Sequence, residues 1–246
     1  AWLLDKRGIP RGISKLEDFG ISIGEADENL GAIALGGMSK GVTPVQLASA
    51  YTTFVNEGVR TQARFITKIV DATGAVIVDN TKPKTNRVTT AAVAEEMTSM
   101  LMGVYADGGT GASAQPSNGM VIAGKTGTTE LDRETGYIKS QWMVGYTPDL
   151  VVATWLGYDK TNEIYNLNNA GKTMANLYSA EMGALLSISP QTEFAVAAAE
   201  ETYDSGIING LKNGLDEFMN DMGSFGQSLG EGSKKLFDWA NEAFGQ

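Results

Sequence analysis

Three extended apolar runs follow one another between residues 120 and 158, and a tight turn fixes how two of them pair. The runs are 120–128, 141–147 and 150–158, and Thr147-Pro148-Asp149 joins the last two. Proline and aspartate at the centre of so short a connection suit a turn, so those two strands run antiparallel. A helix over 173–187, ended by Ser189-Pro190, is expected to cover the sheet.

Upstream, Thr43 before Pro44 suits an N-cap with proline at the first helical position, opening a helix through Leu47, Ala48, Tyr51 and Phe54. Gly58 is placed to end it in a left-handed cap. Residues 65–70 and 75–78 read as a hairpin closed by Asp71-Ala72-Thr73-Gly74. Residues 89–105 form the clearest helical pattern, with Val93, Met97, Met100 and Leu101 on one face, and Gly108-Gly109-Thr110-Gly111 breaks it. Residues 1–30 read as a short helical start and a polar connection containing Gly12 and Gly20.

Two absences limit the chemistry. The 246 residues contain no Cys and no His. A Ser-His-Asp triad, a thiolate nucleophile and a zinc–thiolate site are therefore excluded, and any acyl-transfer base must be Lys, Tyr or a carboxylate. No metal or other cofactor is called for. Net charge is −10 and no basic patch stands out, which argues against nucleic acid as a partner. Residues 200–246 hold nine acids against three bases, with Ile208, Leu211, Leu215, Phe218, Met222, Phe225 and Leu229 at alternating three- and four-residue steps. That seam predicts an acidic, amphipathic helical tail, interrupted by glycines.

Within the first apolar run lies VIAGKTGTTE, residues 121–130. Gly119 to Thr126 formally fits a phosphate-loop spacing, but Met, Val, Ile and Ala between the glycines favour a buried strand over a turning loop. An ordinary core strand would explain 120–123 and leave the lysine unexplained. A strand that binds an acyl substrate explains both. Lys125 and Gly127 then share one face and Thr126 and Thr128 the other. The lysine supplies positive field, the hydroxyls can donate to a carboxylate, Gly127 admits close approach, and the Thr128 N–H can stabilise an oxyanion. Such a strand supplies no nucleophile.

Lys125-Thr126-Gly127-Thr128-Thr129 resembles the third signature of the penicillin-binding serine acyltransferases. Ala34-Leu35-Gly36-Gly37, Gly41-Val42-Thr43-Pro44, Arg64-Phe65-Ile66-Thr67-Lys68-Ile69 and Gly109-Thr110-Gly111-Ala112 are similar, in order, to stretches of the bifunctional (class A) members. So are Trp142-Met143-Val144-Gly145-Tyr146-Thr147-Pro148 and Trp155-Leu156-Gly157-Tyr158-Asp159. The resemblance runs from residue 1 to about 190.

It implies an α/β fold of the α+β type, an antiparallel sheet with helices on both faces, here incomplete. Residues 1–195 would be the C-terminal portion of a transpeptidase domain, with 200–246 as a tail. The implied activity is a serine-type D-Ala-D-Ala transpeptidase that cross-links peptidoglycan stem peptides and is acylated by β-lactams. Lys125 would orient a hydroxyl of a Ser-x-Asn motif, and Thr126 and Thr128 would bind the peptide's terminal carboxylate. The family's nucleophile is the Ser of Ser-x-x-Lys, yet no Ser here has Lys three positions on, or Asn two positions on. Both motifs are expected upstream, in a longer parent anchored at the extracytoplasmic face of the bacterial membrane. This chain alone is then expected to be inactive, with a non-catalytic cell-wall peptide-binding module as the alternative. The family's sheet has five strands, so the strand over 150–158 is expected to lose a neighbour and to favour self-association.

Overall fold

The computed structural model describes residues 1–130, 136–167 and 170–196. The chain opens with α1 (Trp2–Arg7), the expected helical start, and α2 (Ile9–Asp18), where a polar connection was expected. Pro10 sits in the first turn of α2, where its missing N–H leaves no bond unmade. Gly12 is a packing residue here: a Cβ at that position would lie 2.5 Å from Leu4 Cδ1 of α1. Lys15 pairs with Asp18 at 2.7 Å and donates to the Val88 carbonyl at 3.0 Å, tying α2 to a distant segment.

Next, α3 (Leu30–Leu35) starts where the Asn29 side chain accepts from the Ala32 N–H, and ends at Gly36, whose φ is 77°. In α4 (Pro44–Val55), Thr43 accepts from the Gln46 N–H while the Gln46 side chain accepts from the Thr43 N–H. This reciprocal cap fixes the helix start at the expected residue. Gly58 takes φ 86°, as a chain reversal there requires.

The expected hairpin is β2 (Lys68–Val70) against β3 (Val76–Asp79), with the Asp71 carboxylate accepting from the N–H groups of Thr73 and Ala75. It belongs to a longer ribbon, because β1 (Val59–Thr61) pairs with β4 (Thr85–Arg87) at the ribbon's root. The bond from the Gln62 N–H to the Lys84 carbonyl continues the same pairing. Thr90 then caps α5 (Ala91–Met102), which is shorter at both ends than the expected 89–105.

The main sheet has the order β5-β6-β7, antiparallel throughout, from β5 (Ala123–Glu130), β6 (Ile138–Tyr146) and β7 (Val151–Gly157). β5 begins three residues later than the apolar run, since Met120 and Ile122 reach the core before strand pairing starts. α6 (Ala170–Leu186) follows β7.

Helices cover both faces of the sheet. On one, Ala123 and Tyr146 pack with Met102 of α5 and with Tyr51 and Phe54 of α4. On the other, Met143 packs with Met174, Tyr178 and Met182 of α6, and with Tyr105. Burial of these side chains contributes roughly 25 cal/mol per Å² of apolar surface removed from water. The hydroxyls are also used: Tyr146 pairs with Thr98 at 2.9 Å, and Tyr105 donates to the Val144 carbonyl at 3.0 Å. β7 is tied to α6 by Thr154, which donates to Glu181 at 2.6 Å.

Among the described residues β5 and β7 each pair only with β6, so the sheet has two open edges. The strand expected over 150–158 is β7, and its one strand partner among the described residues is β6. The tail expected over 200–246 lies outside the described residues.

Candidate functional site

β5 starts buried and ends in water. Ala123 and Gly124 are inaccessible, Lys125 is exposed, Thr126 and Gly127 are half-buried, and the remainder is exposed. A Cβ on Gly124 would lie 1.9 Å from the Val144 carbonyl oxygen, so only glycine lets β5 close on β6 at the point where the motif begins.

The register places Lys125 opposite Val144, Thr126 opposite Met143, Gly127 opposite Trp142 and Thr128 opposite Gln141. Opposed residues share a face, so Lys125 and Gly127 lie on the α4/α5 side with Tyr146, while Thr126 and Thr128 lie on the α6 side with Met143. The alternation expected from the sequence is therefore the one observed.

Each polar group of the motif has a defined neighbour. The Lys125 ammonium donates to the Thr126 carbonyl at 2.8 Å. Among the described residues it makes no ion pair, Lys15–Asp18 being the single one there. Thr126 Oγ1 lies 2.9 Å from Thr110 Oγ1, and Thr128 Oγ1 accepts from Gln141 Nε2 at 3.2 Å. Among the described residues an ammonium with no counter-ion and two hydroxyls thus stand along an open strand edge, a donor set that suits an anion such as a carboxylate.

Gly127 brings Trp142 close, since a Cβ there would lie 3.3 Å from the Trp142 Cβ. Trp142 and Trp155 make a tilted ring pair with centroids 6.4 Å apart. They line a groove of about 630 Å³ that also touches Thr129 of β5 and the segment 36–44. That segment is fixed by the buried Asp27, whose carboxylate accepts from the Ser39 N–H at 2.9 Å and from the Ser39 hydroxyl at 2.8 Å. These bonds hold the Asp27 carboxyl below its ordinary value.

Sequence reasoning isolated Lys125, Thr126, Gly127 and Thr128, and the structure brings all four onto one strand. It missed Thr110 and Gln141 as partners of the motif hydroxyls. Gly108-Gly109-Thr110-Gly111 reads as a helix breaker and Gly109-Thr110-Gly111-Ala112 as a family-like stretch, and that resemblance was the available signal. Where a serine directly precedes a lysine among the described residues, at Ser14-Lys15 and Ser39-Lys40, Lys15 is committed to Asp18 and Ser39 to Asp27. Among the described residues no group of His, Cys, Asp and Glu side chains could hold a metal ion, and no helix is long and apolar enough to cross a membrane.

Known proteins are similar to this chain in sequence and in fold. The family model for the penicillin binding protein transpeptidase domain matches residues 14–180. Penicillin-binding protein 2a of Streptococcus pneumoniae is 38% identical over 195 residues, covering 78% of this chain and 26% of that protein. Penicillin-binding protein 1F of Bacillus subtilis is 38% identical over 177 residues, covering 72% of this chain and 24% of its own length. The chain thus spans about a quarter of these relatives.

Among solved structures, the penicillin-binding protein PonA1 from Mycobacterium tuberculosis aligns with a TM-score of 0.58 at 27% identity, over 71% of this chain and 46% of that one. Penicillin-Binding Protein 1A from Haemophilus influenzae shares the fold, with a TM-score of 0.56 at 23% identity over 78% and 33% of the two chains. A family model matched over more than half the sequence, on a sheet with this strand at its edge, settles the relationship: the chain belongs to the transpeptidase-domain family of penicillin-binding proteins and is homologous to its class A members.

Proposed function

We propose that residues 125–128 form the substrate-gripping wall of a peptidoglycan D,D-transpeptidase whose attacking serine lies in polypeptide outside this sequence. The observation that carries this reading is the open edge of β5, where Lys125, Thr126 and Thr128 stand without a carboxylate partner among the described residues. In this role the Lys125 ammonium sets a positive field along the β5 edge and orients the hydroxyl of the missing Ser-x-Asn motif. The Thr126 and Thr128 hydroxyls hold the terminal carboxylate of a stem peptide ending in D-Ala-D-Ala. The Thr128 N–H stabilises the oxyanion formed when the serine attacks the penultimate carbonyl.

The related PonA1 has been solved in complex with penicillin V. By the same chemistry the longer protein containing this chain would be acylated by β-lactams, while this chain alone, lacking Ser-x-x-Lys and Ser-x-Asn, stays inactive. It would work at the extracytoplasmic face of the membrane, anchored by sequence outside this chain. The open edge of β7 makes the isolated chain prone to self-association.

Incubation with a fluorescent penicillin tests the assignment. The expected result is no covalent label on this chain and stoichiometric label on the longer protein. Labelling of this chain would overturn the account of the absent nucleophile. A longer protein that binds diacetyl-Lys-D-Ala-D-Ala yet takes no label would favour the non-catalytic peptide-binding module instead.

A further inference from the structure

Thr110 lies outside the Lys-Thr-Gly strand, yet its hydroxyl is 2.9 Å from that of Thr126. The segment that carries it is held tightly. A Cβ on Gly109 would lie 2.3 Å from the Val104 carbonyl oxygen, and one on Gly111 would lie 3.1 Å from the Tyr105 ring. The Gly111 N–H donates to the Val104 carbonyl at 2.8 Å. Tyr105 in turn donates its hydroxyl to the Val144 carbonyl, and Val144 stands directly opposite Lys125. Thr110 is thus the sole non-glycine residue of 108–111, on a segment pegged to the strand that pairs with the motif.

We infer that Thr110 is a positioning residue for Thr126, holding its hydroxyl so that the Thr126 proton faces an incoming carboxylate. The inference rests on the reading of β5 given above. A threonine hydroxyl has one proton and two acceptor sites. When Thr110 donates to Thr126 Oγ1, the Thr126 proton is left for the ligand, and the accepted bond polarises it. Thr110 is itself exposed, and a bond between two accessible hydroxyls is readily replaced by water, so it adds little to stability. Its effect falls on direction, since it selects one staggered setting of a β-branched side chain.

The test compares Thr110→Val, which keeps the shape and loses the hydroxyl, with Thr110→Ser, which keeps the hydroxyl. Two measurements on the isotope-labelled chain are needed: the three-bond couplings that report the Thr126 χ1 setting without ligand, and the Kd for diacetyl-Lys-D-Ala-D-Ala. The expected result for Thr110→Val is rotamer averaging at Thr126 and an affinity loss of about tenfold, with an unchanged thermal midpoint. Thr110→Ser should restore both readouts. A single Thr126 rotamer in Thr110→Val, or wild-type peptide affinity in that variant, overturns the inference. Failure of the β5 reading has a different signature: the unaltered chain and Lys125→Ala would both ignore the peptide. That outcome overturns the peptide-directed role of Thr110 as well.

Discussion

β5 and β7 are the outer strands of one sheet, and among the described residues each pairs only with β6. From Lys125 onward β5 carries Lys, Thr, Gly, Thr, Thr and Glu. β7 reads Val151, Val152, Ala153, Thr154, Trp155, Leu156 and Gly157, and its one polar side chain is already committed to Glu181. An open strand edge with charge and hydroxyls can stay in water or meet an anion, whereas an apolar one invites another strand. The difference teaches that openness alone does not mark a site. Only the β5 edge combines openness with donors that have no acceptor of opposite charge among the described residues.

The contrast can be broken most forcefully at Gly124. Gly124→Val would drive a side chain into the Val144 carbonyl, and we expect about 3 kcal/mol of lost stability in a denaturant titration. A loss near zero would mean that β5 and β6 are not closed as described. Lys125→Ala should leave the unfolding midpoint in place and weaken diacetyl-Lys-D-Ala-D-Ala binding by about 2 kcal/mol, roughly thirtyfold. On the other edge, Ala153→Lys, outside the groove lining, should shift sedimenting species towards monomer while peptide affinity stays within about twofold. Weaker peptide binding in that variant would erase the division of labour between the edges.

The smallest effect concerns both edges together. Burial raises the Tyr51 hydroxyl from its ordinary 10 to about 12. The folded value lies above the unfolded one, so this contribution is complete below about pH 10 and is lost as pH climbs from there through about 12. Tyr51→Phe should flatten that part of a stability-versus-pH curve and leave the acid limb unchanged.

Much of this was legible because it depends on neighbours in sequence. Thr147-Pro148-Asp149 dictates an antiparallel pair, Thr43 with Gln46 dictates a helix start, and Lys125 to Thr128 carry their alternation on any strand. What escaped depends on residues far apart. Gly12 reads as part of a polar connection until Leu4 is seen filling the space beside it. β1 and β4 are short and polar, and become strands because each supplies the other's hydrogen bonds. Thr110 acquires its place through the Tyr105 hydroxyl and a carbonyl 39 residues away. Local propensity carries none of this, because the deciding partner is absent from any short window.

The Tyr105 hydroxyl has one more consequence. Side chains on a strand change sides at every step, so sliding β5 along β6 by a single residue would carry Lys125 across to the α6 side and put Thr126 where the ammonium had been. By gripping the carbonyl of Val144, Tyr105 fastens β6 to the segment that follows α5, at the residue that sets where Lys125 stands. Losing that bond would free the partner strand opposite the motif lysine, so a change at this buried ring reaches the binding edge without altering any residue that touches a ligand.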